Sequence, residues 1–185
     1  MKYLILSDIH GSLTSLDKAL GIYCSHGCDM LLLLGDLLNY GPRNGLPENL
    51  DAMGVAERLN TLSGDIVAVR GNCDSEVDQM LLRFPIMQDA ALIVDDGVRL
   101  WLTHGHVYNA DRLPSPSADV LFCGHTHLWS LSIDARGTVV CNTGSPTFPK
   151  GGNPPTLAIY DSGIVSILDL QGNVLATEKV KRKNT

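Results

Sequence analysis

Apolar residues along the first seventy positions follow two alternating patterns. Continuous apolar runs at residues 2–6, 30–34 and 66–69 are typical of strands that are buried on both faces. Between these runs, apolar residues from Ser12 to Tyr23 recur at helical spacing, and Val55 to Leu62 fits a second helix. Strands and helices therefore alternate as β-α-β-α-β, which predicts an α/β domain.

The second half of the chain is dominated by short strands and turns. Two hairpins are predicted, one around Asp95-Asp96-Gly97 and one around Ala135-Arg136-Gly137. Residues 120–123 are predicted to form a further buried strand, and three strands between Leu157 and Thr177 form an antiparallel tail. The stretch from Leu38 to Asn49 is predicted to be an irregular loop because it is rich in Gly and Pro. These elements predict an α/β sandwich of two sheets.

Composition limits the class of protein further. The 185 residues suit one domain, spanning residues 1–185. A net charge of −6 argues against stable nucleic-acid binding, which requires a basic face. No apolar run approaches membrane-spanning length, and the N-terminus lacks a signal peptide. The five cysteines show no framework spacing. We therefore expect a cytoplasmic protein with reduced thiols and no membrane partner.

Five of the predicted strands end at residues that can bind a metal ion. Loops at the carboxyl ends of strands carry functional side chains on a rigid base. Taken singly, Asp8 and His10 could form a turn that caps the following helix, and Gly35-Asp36 could be a plain turn. Taken together, the residues that follow these five strands predict a metal site. The residues are Asp8 and His10, Asp36, Asn72, His104, and His125 with His127.

The types of these ligands restrict the metal. Carboxylate, amide and imidazole groups without a thiolate suit Mn, Fe or Zn in sites that are open to water. Seven ligands are too many for one ordinary site, but they suffice for two ions that share a carboxylate. Two such ions can clamp the attacking and leaving oxygens of a displacement at phosphorus.

The ordered motifs DIH, GD, GNCD, HGH and GHTH, between residues 8 and 127, resemble those of the calcineurin-like metallophosphoesterases. The strings YGPRN, LTHGH and PKGGNP look like the small bacterial YfcE-type phosphodiesterases. The resemblance implies a four-layer αββα sandwich, in which two packed mixed β-sheets are flanked by helices. It also implies a metal-dependent hydrolase of small phosphodiesters, in which a hydroxide bridging the two metals attacks phosphorus.

The resemblance further implies how the ligands divide. The cofactors would be two divalent ions, with Mn²⁺ as the first choice and Zn²⁺, Fe²⁺ or Ni²⁺ as alternatives. Asp36 would bridge them. The first ion would be held by Asp8, His10, Asp36 and His127, and the second by Asp36, Asn72, His104 and His125.

The chain departs from the family pattern at Cys73. The usual motif reads GNH, and its histidine is placed near the leaving-group oxygen. A thiol is a weak donor without positive charge. We therefore predict a preference for good, aryl-type leaving groups. Roles for Cys73 as a nucleophile or as a metal ligand are the weaker alternatives.

Other candidates carry less specific signals. Asp74 is expected to accept hydrogen bonds near the ligands, or to be a plain turn residue. Arg43 could clamp a phosphate oxygen or be solvated, and His106 could contact the metal hydroxide, the substrate or only its structural neighbours. Arg70 could pair with Asp74. Weaker substrate-facing candidates are Asn39 and Lys150.

Two other functions stay open on the sequence alone. The same metals would also serve a phosphomonoesterase or a nucleotide pyrophosphatase. A non-catalytic interaction scaffold has the same fold but would tolerate loss of the ligands, and here all seven positions are filled. Apolar strands in the tail suggest a homodimer as a further expectation.

Overall fold

The computed structural model describes residues 1–181, so the last four positions of the predicted domain lie outside the described residues. Eleven strands and three α-helices occur in this part of the chain, together with one 3-10 turn at Ser63–Asp65. In chain order they are β1 (Lys2–Leu6), α1 (Leu13–Ser25), β2 (Met30–Leu33), α2 (Ala52–Asn60), β3 (Ile66–Ala68), α3 (Glu76–Leu81), β4 (Ala90–Asp95), β5 (Val98–Thr103), β6 (Val120–Cys123), β7 (Ser130–Ile133), β8 (Val139–Asn142), β9 (Thr156–Asp161), β10 (Ile164–Asp169) and β11 (Val174–Lys179).

The strands form two mixed sheets. The six-stranded sheet has the order β11-β10-β9-β1-β2-β3, in which β1, β2 and β3 are parallel. The five-stranded sheet has the order β4-β5-β6-β8-β7, in which β5, β6 and β8 are parallel. The predicted α/β fold of two packed mixed sheets flanked by helices is confirmed.

The six-stranded sheet is covered by apolar side chains on both faces. Because side chains alternate along a strand, Leu4 and Leu6 of β1 face a cluster that includes Leu16 of α1 and Val55 of α2. Residues on the other face of β1, such as Ile5, join the cluster that contains β5 and β6 residues of the second sheet. This double burial explains why β1 and β2 are continuous apolar runs.

The helix starts are set by capping residues. Ser12 caps α1, since its Oγ accepts from the Ser15 amide at 3.3 Å. The alternative that Asp8 and His10 form the cap of this helix is therefore wrong. Asp51 caps α2 by accepting from the Gly54 amide at 2.8 Å, which starts this helix three residues before the predicted Val55. Among the described residues, no helix has the length and apolarity to cross a membrane.

Candidate metal centre

The strand ends that carry the predicted ligands lie next to one another. The amide of Asp8 donates to the Gly35 carbonyl at 3.0 Å, and the amide of His10 donates to the Asp36 carbonyl at 2.9 Å. These bonds join the loops that follow β1 and β2. The two sheets are joined in turn by the His125 amide, which donates to Asp8 Oδ2 at 2.9 Å. Ligands from both sheets therefore meet at one edge of the sandwich.

Five of the seven predicted ligands have left-handed backbone conformations. Their φ angles are +59° at Asp8, +51° at His10, +55° at Asp36, +69° at His125 and +61° at His127. Eight non-glycine residues among positions 1–181 have positive φ, so the ligands account for most of them. Each such residue costs roughly 1–2 kcal/mol, and such strain clusters at functional sites. The backbone is bent here so that these side chains point at a common space.

The first group of ligand atoms surrounds a buried carboxylate oxygen. Oδ1 of Asp8 lies 3.2 Å from Nε2 of His127 and 3.5 Å from Nε2 of His10, and these two ring nitrogens are 3.2 Å apart. This oxygen is buried, and no group among residues 1–181 donates a hydrogen bond to it. Burial would raise the pKa of Asp8, but His10 and His127 outweigh it and hold this pKa far below its usual range. A divalent cation fits such a donor set.

A second group adjoins the first through Asp36. Oδ2 of Asp36 lies 3.8 Å from Nε2 of His10 and 3.5 Å from Nε2 of His104. Nε2 of His104 also lies 3.1 Å from Oδ1 of Asn72. The ring of His125 is beside that of His104, with centroids 5.1 Å apart. Asp36 is thus the carboxylate between the imidazoles of the two groups.

Three imidazoles are oriented by the same kind of hydrogen bond. In each ring Nδ1 donates to a backbone carbonyl, which leaves Nε2 for a metal ion. This arrangement is common among histidine ligands, because the second bond fixes the tautomer and the ring plane. The pairs are His10 with Asn39 at 2.8 Å, His104 with Leu34 at 2.8 Å, and His127 with Phe148 at 2.9 Å.

Asp74 holds together the loops that carry Asp36 and Asn72. Its carboxylate accepts from the amides of Gly71 at 2.7 Å, Asp36 at 2.9 Å and Leu37 at 2.9 Å. Burial raises the pKa of Asp74 above its usual value, against the hydrogen bonds that lower it. The carboxylate therefore supports the loops that carry the ligands. Among the described residues, it forms no hydrogen bond with the imidazoles.

Gly124 permits the close approach of the β6 end to Asp8. A Cβ at this position would lie 2.0 Å from Oγ of Ser7 and 2.5 Å from Oδ2 of Asp8. Ser7 Oγ itself donates to Asp8 Oδ2 at 2.6 Å, so neither atom can yield without disturbing the other. Only glycine fits between the two sheets at this point.

Gly124→Ala is therefore expected to destabilise the protein and to weaken metal binding together. Overpacking of this kind lowers the free energy of unfolding by about 1–3 kcal/mol. The added Cβ would also displace Asp8, which it would approach to 2.5 Å. Urea unfolding and metal content after dialysis are the measurements. The control is Gly21→Ala in α1, where the added Cβ meets no atom within 4 Å and alanine stabilises a helix by about 0.5–1 kcal/mol. If Gly124→Ala and Gly21→Ala had equal stability and equal metal content, the steric role of Gly124 would be refuted.

Cys73 lies against the bridging carboxylate. Its amide donates to Oδ1 of Asp36 at 2.8 Å, and Nδ2 of Asn72 donates to its Sγ at 3.2 Å. Sγ and ligand atoms of His10 and Asp36 all lie within 4.8 Å of one another, so the metal-ligand alternative is within reach of this thiol. Burial, and then the charge of Asp36, raise the pKa of the thiol to about 12.

A cleft of about 650 Å³ opens above these ligands. Its lining includes three of the weaker sequence candidates, Asn39, Arg43 and Lys150. It also includes Asn44 and Thr126, which no sequence pattern had indicated as site residues. The only sequence signal for Asn44 is its place in the string YGPRN, and Thr126 stands between two candidate ligands.

Two other candidates lie away from this lining. Arg70 is 3.9 Å from Asp89, so the predicted ion pair of Arg70 with Asp74 is wrong; three backbone amides already occupy the Asp74 carboxylate. The ring of His106 packs edge-on against His104, with centroids 5.2 Å apart. Burial lowers the pKa of His106, and its Nδ1 is buried without a hydrogen-bond partner.

Known proteins resemble this chain in sequence and in fold. Residues 1–163 match the calcineurin-like phosphoesterase superfamily domain. The chain is 46% identical over 172 residues to phosphodiesterase YfcE of Escherichia coli K12, covering 92% of each protein. The solved structure of E. coli YfcE, a phosphoesterase, matches with a TM-score of 0.93 and 42% identity, over 98% of this chain and 100% of that one.

A more distant structure shows how widely the fold occurs. Vps29 of Entamoeba histolytica, solved with Zn²⁺, has a TM-score of 0.62 and 18% identity, covering 97% of this chain and 98% of that one. At this identity the likeness concerns the fold alone. The family match extends over most of the sequence, and the E. coli relative is similar over nearly its whole length. The chain belongs to the calcineurin-like phosphoesterase superfamily.

Proposed function

We propose that this chain is a metal-dependent phosphodiesterase that hydrolyses small phosphodiesters with good, aryl-type leaving groups. The observation that carries the proposal is Asp8 Oδ1, a buried carboxylate oxygen 3.2 Å and 3.5 Å from two imidazole nitrogens, which has no hydrogen-bond partner in the described part of the chain. The position of Asp36 between two such groups supports a site for two ions. The E. coli relative at 46% identity is itself named a phosphodiesterase.

The ligand roles follow the two groups of atoms. We assign the bridging role to Asp36, with Mn²⁺ as the first choice of ion and Zn²⁺, Fe²⁺ or Ni²⁺ as alternatives. When bound, such ions polarise phosphoryl oxygens and lower the pKa of water. The first ion is assigned to Asp8, His10, Asp36 and His127, and the second to Asp36, Asn72, His104 and His125.

The cleft contributes few cationic groups to substrate binding. Among residues 1–181, Arg43 and Lys150 are the arginine and lysine side chains in its lining, and both are exposed to solvent. A guanidinium can bind two oxygens of one phosphate, whereas an ammonium acts as a point charge. A diester carries one negative charge and a monoester carries nearly two at neutral pH. A monoester therefore needs more cationic contacts than a diester, and the few that line this cleft, both exposed, make a diester our first choice.

A direct comparison of two aryl esters tests this function. The full chain, reconstituted with Mn²⁺, is expected to hydrolyse a bis-aryl phosphate with a higher kcat/KM than the matching mono-aryl phosphate. Release of the phenol is the measurement, and protein stripped of metal by a chelator is the control. A much faster monoester would instead favour the phosphomonoesterase alternative. Equal rates with and without metal would contradict the metal-dependent reaction.

A further inference from the structure

The side-chain amide of Asn44 is held in one orientation at the edge of the cleft. Its Nδ2 donates to the Tyr40 carbonyl at 2.9 Å, and the Asn44 backbone amide donates to the Gly41 carbonyl at 3.2 Å. The residue is half-buried and lines the cleft above the metal ligands. These bonds fix which end of the amide faces the metal centre.

The side-chain nitrogen of Asn44 also lies near a candidate metal ligand. Nδ2 of Asn44 lies 3.5 Å from Nε2 of His10. Nδ1 of His10 donates to the Asn39 carbonyl at 2.8 Å, so Nε2 is the ring atom that remains for a cation. Once its lone pair is taken by a cation, Nε2 cannot accept from Asn44. Among the hydrogen bonds of residues 1–181, Nδ2 then keeps only Tyr40 as an acceptor.

We propose that Asn44 is a substrate-binding residue whose free N–H donates to a phosphoryl oxygen, an assignment that rests on the proposed function. If Nε2 of His10 held a cation, it would no longer accept from Asn44, and the N–H of Asn44 would be free for a substrate oxygen. The N–H faces the cleft, where an oxygen of a substrate bound beside His10 would be within its reach. The amide is neutral, so it orients a diester monoanion without requiring a second negative charge.

The binding of inorganic phosphate to the full chain loaded with Mn²⁺ tests this assignment without relying on turnover. Calorimetric titration is expected to show that Asn44→Ala binds phosphate more weakly than wild type by on the order of tenfold, because the lost bond has a charged acceptor. The metal content of the variant is expected to be unchanged. With a diester substrate, KM is expected to rise by a similar factor while kcat changes little.

Asn49 offers a matched control in the same loop. Its amide donates to Oγ1 of Thr14 at 3.2 Å, outside the cleft, and its φ of +55° is freely adopted by glycine. Asn49→Gly therefore removes an amide without strain and is expected to leave phosphate affinity unchanged. Asn44→Asp keeps the shape of the side chain but has no N–H, so it is expected to bind phosphate at least as weakly as Asn44→Ala.

The outcomes bear on two assignments, the role of Asn44 and the proposed phosphodiesterase function. Unchanged phosphate affinity in Asn44→Ala would overturn the role of Asn44. A loss of affinity that tracks a loss of bound metal would also overturn it, because Asn44 would then only support His10. If the wild-type protein binds phosphate through Asn44 but hydrolyses no diester, the proposed function fails and the phosphoryl contact stands. No phosphate binding by the metal-loaded wild type would overturn the phosphoryl contact, whereas hydrolysis of the diester decides the proposed function separately.

Discussion

Replacing Asp36 with alanine is expected to lower hydrolysis of a bis-aryl phosphate by on the order of 10³-fold or more. Oδ2 of Asp36 lies between Nε2 of His10, at 3.8 Å, and Nε2 of His104, at 3.5 Å. It is the carboxylate proposed to be shared, so its loss weakens both metal sites at once. Metal ions contribute several kcal/mol to stabilising a phosphoryl transition state, and each 1.36 kcal/mol is a factor of ten in rate.

The same carboxylate also has a structural contact, which the experiment must separate from metal binding. Oδ1 of Asp36 accepts from the Cys73 amide at 2.8 Å. Asp36→Asn keeps an acceptor for this amide but loses the charge, so it is expected to stay folded and to lose metal and activity. Metal content, thermal unfolding and turnover are measured for both variants.

A surface carboxylate provides the matched control for Asp36. Asp17 on α1 forms an exposed ion pair with Arg58. Exposed pairs contribute little to stability, so Asp17→Ala is expected to leave activity and metal content near those of wild type. An Asp36→Ala protein that keeps two metal ions per chain, or a substantial fraction of turnover, would refute the bridging role.

The strands were predictable because their signals are local. Continuous apolar runs are buried by both layers, and the bounds of β1 and β6 are those that the apolar pattern predicts. The Asp-Gly turn was also predictable from the sequence, because Asp96 and Gly97 adopt the positive φ angles that such turns require, +47° and +81°, in the β4–β5 hairpin. The start of α2 was misplaced although Ala52 is in helical register with Val55 and Leu59, because Gly54 in the first turn is a poor helix former.

The contacts within the candidate metal centre depend on long-range packing, which local sequence patterns do not indicate. Asp74 meets amides from residues 36, 37 and 71, which come together only after β2 pairs with β3. The position of Asn44 likewise depends on how an irregular loop folds back over His10. Arg70 was paired with Asp74 on the basis of proximity in sequence, whereas its carboxylate neighbour is Asp89.

Cys73→His is expected to speed hydrolysis of esters with poor leaving groups by about 10²-fold, the lower end of the effect of a positioned general acid. Cys73 lines the cleft, and its amide is fixed to Asp36. Across from it, Gly41 has no side chain, and a Cβ there would lie 3.0 Å from Sγ. Gly41 therefore packs closely against the thiol, so a larger side chain at position 73 has to extend into the cleft that Cys73 lines.

The thiol and the imidazole differ as proton donors. Burial and the charge of Asp36 raise the pKa of Cys73 to about 12, so the thiol gives up its proton reluctantly. An imidazole has an ordinary pKa of about 6.5 and donates readily as the imidazolium. Because only the protonated ring can donate, the advantage of Cys73→His is expected to be largest at low pH. It should be lost as the pH rises through the pKa of the ring.

A series of phosphodiesters with graded leaving groups measures this effect. For wild type, log kcat/KM is expected to fall steeply as the pKa of the leaving group rises, because no strong donor assists departure. For Cys73→His the slope is expected to be flatter, with little change for the best aryl leaving group. Cys73→Ser controls for loss of the thiol, and Cys24→His, at an exposed position on α1, controls for an added imidazole. Identical slopes for wild type and Cys73→His would show that position 73 does not set the range of leaving groups.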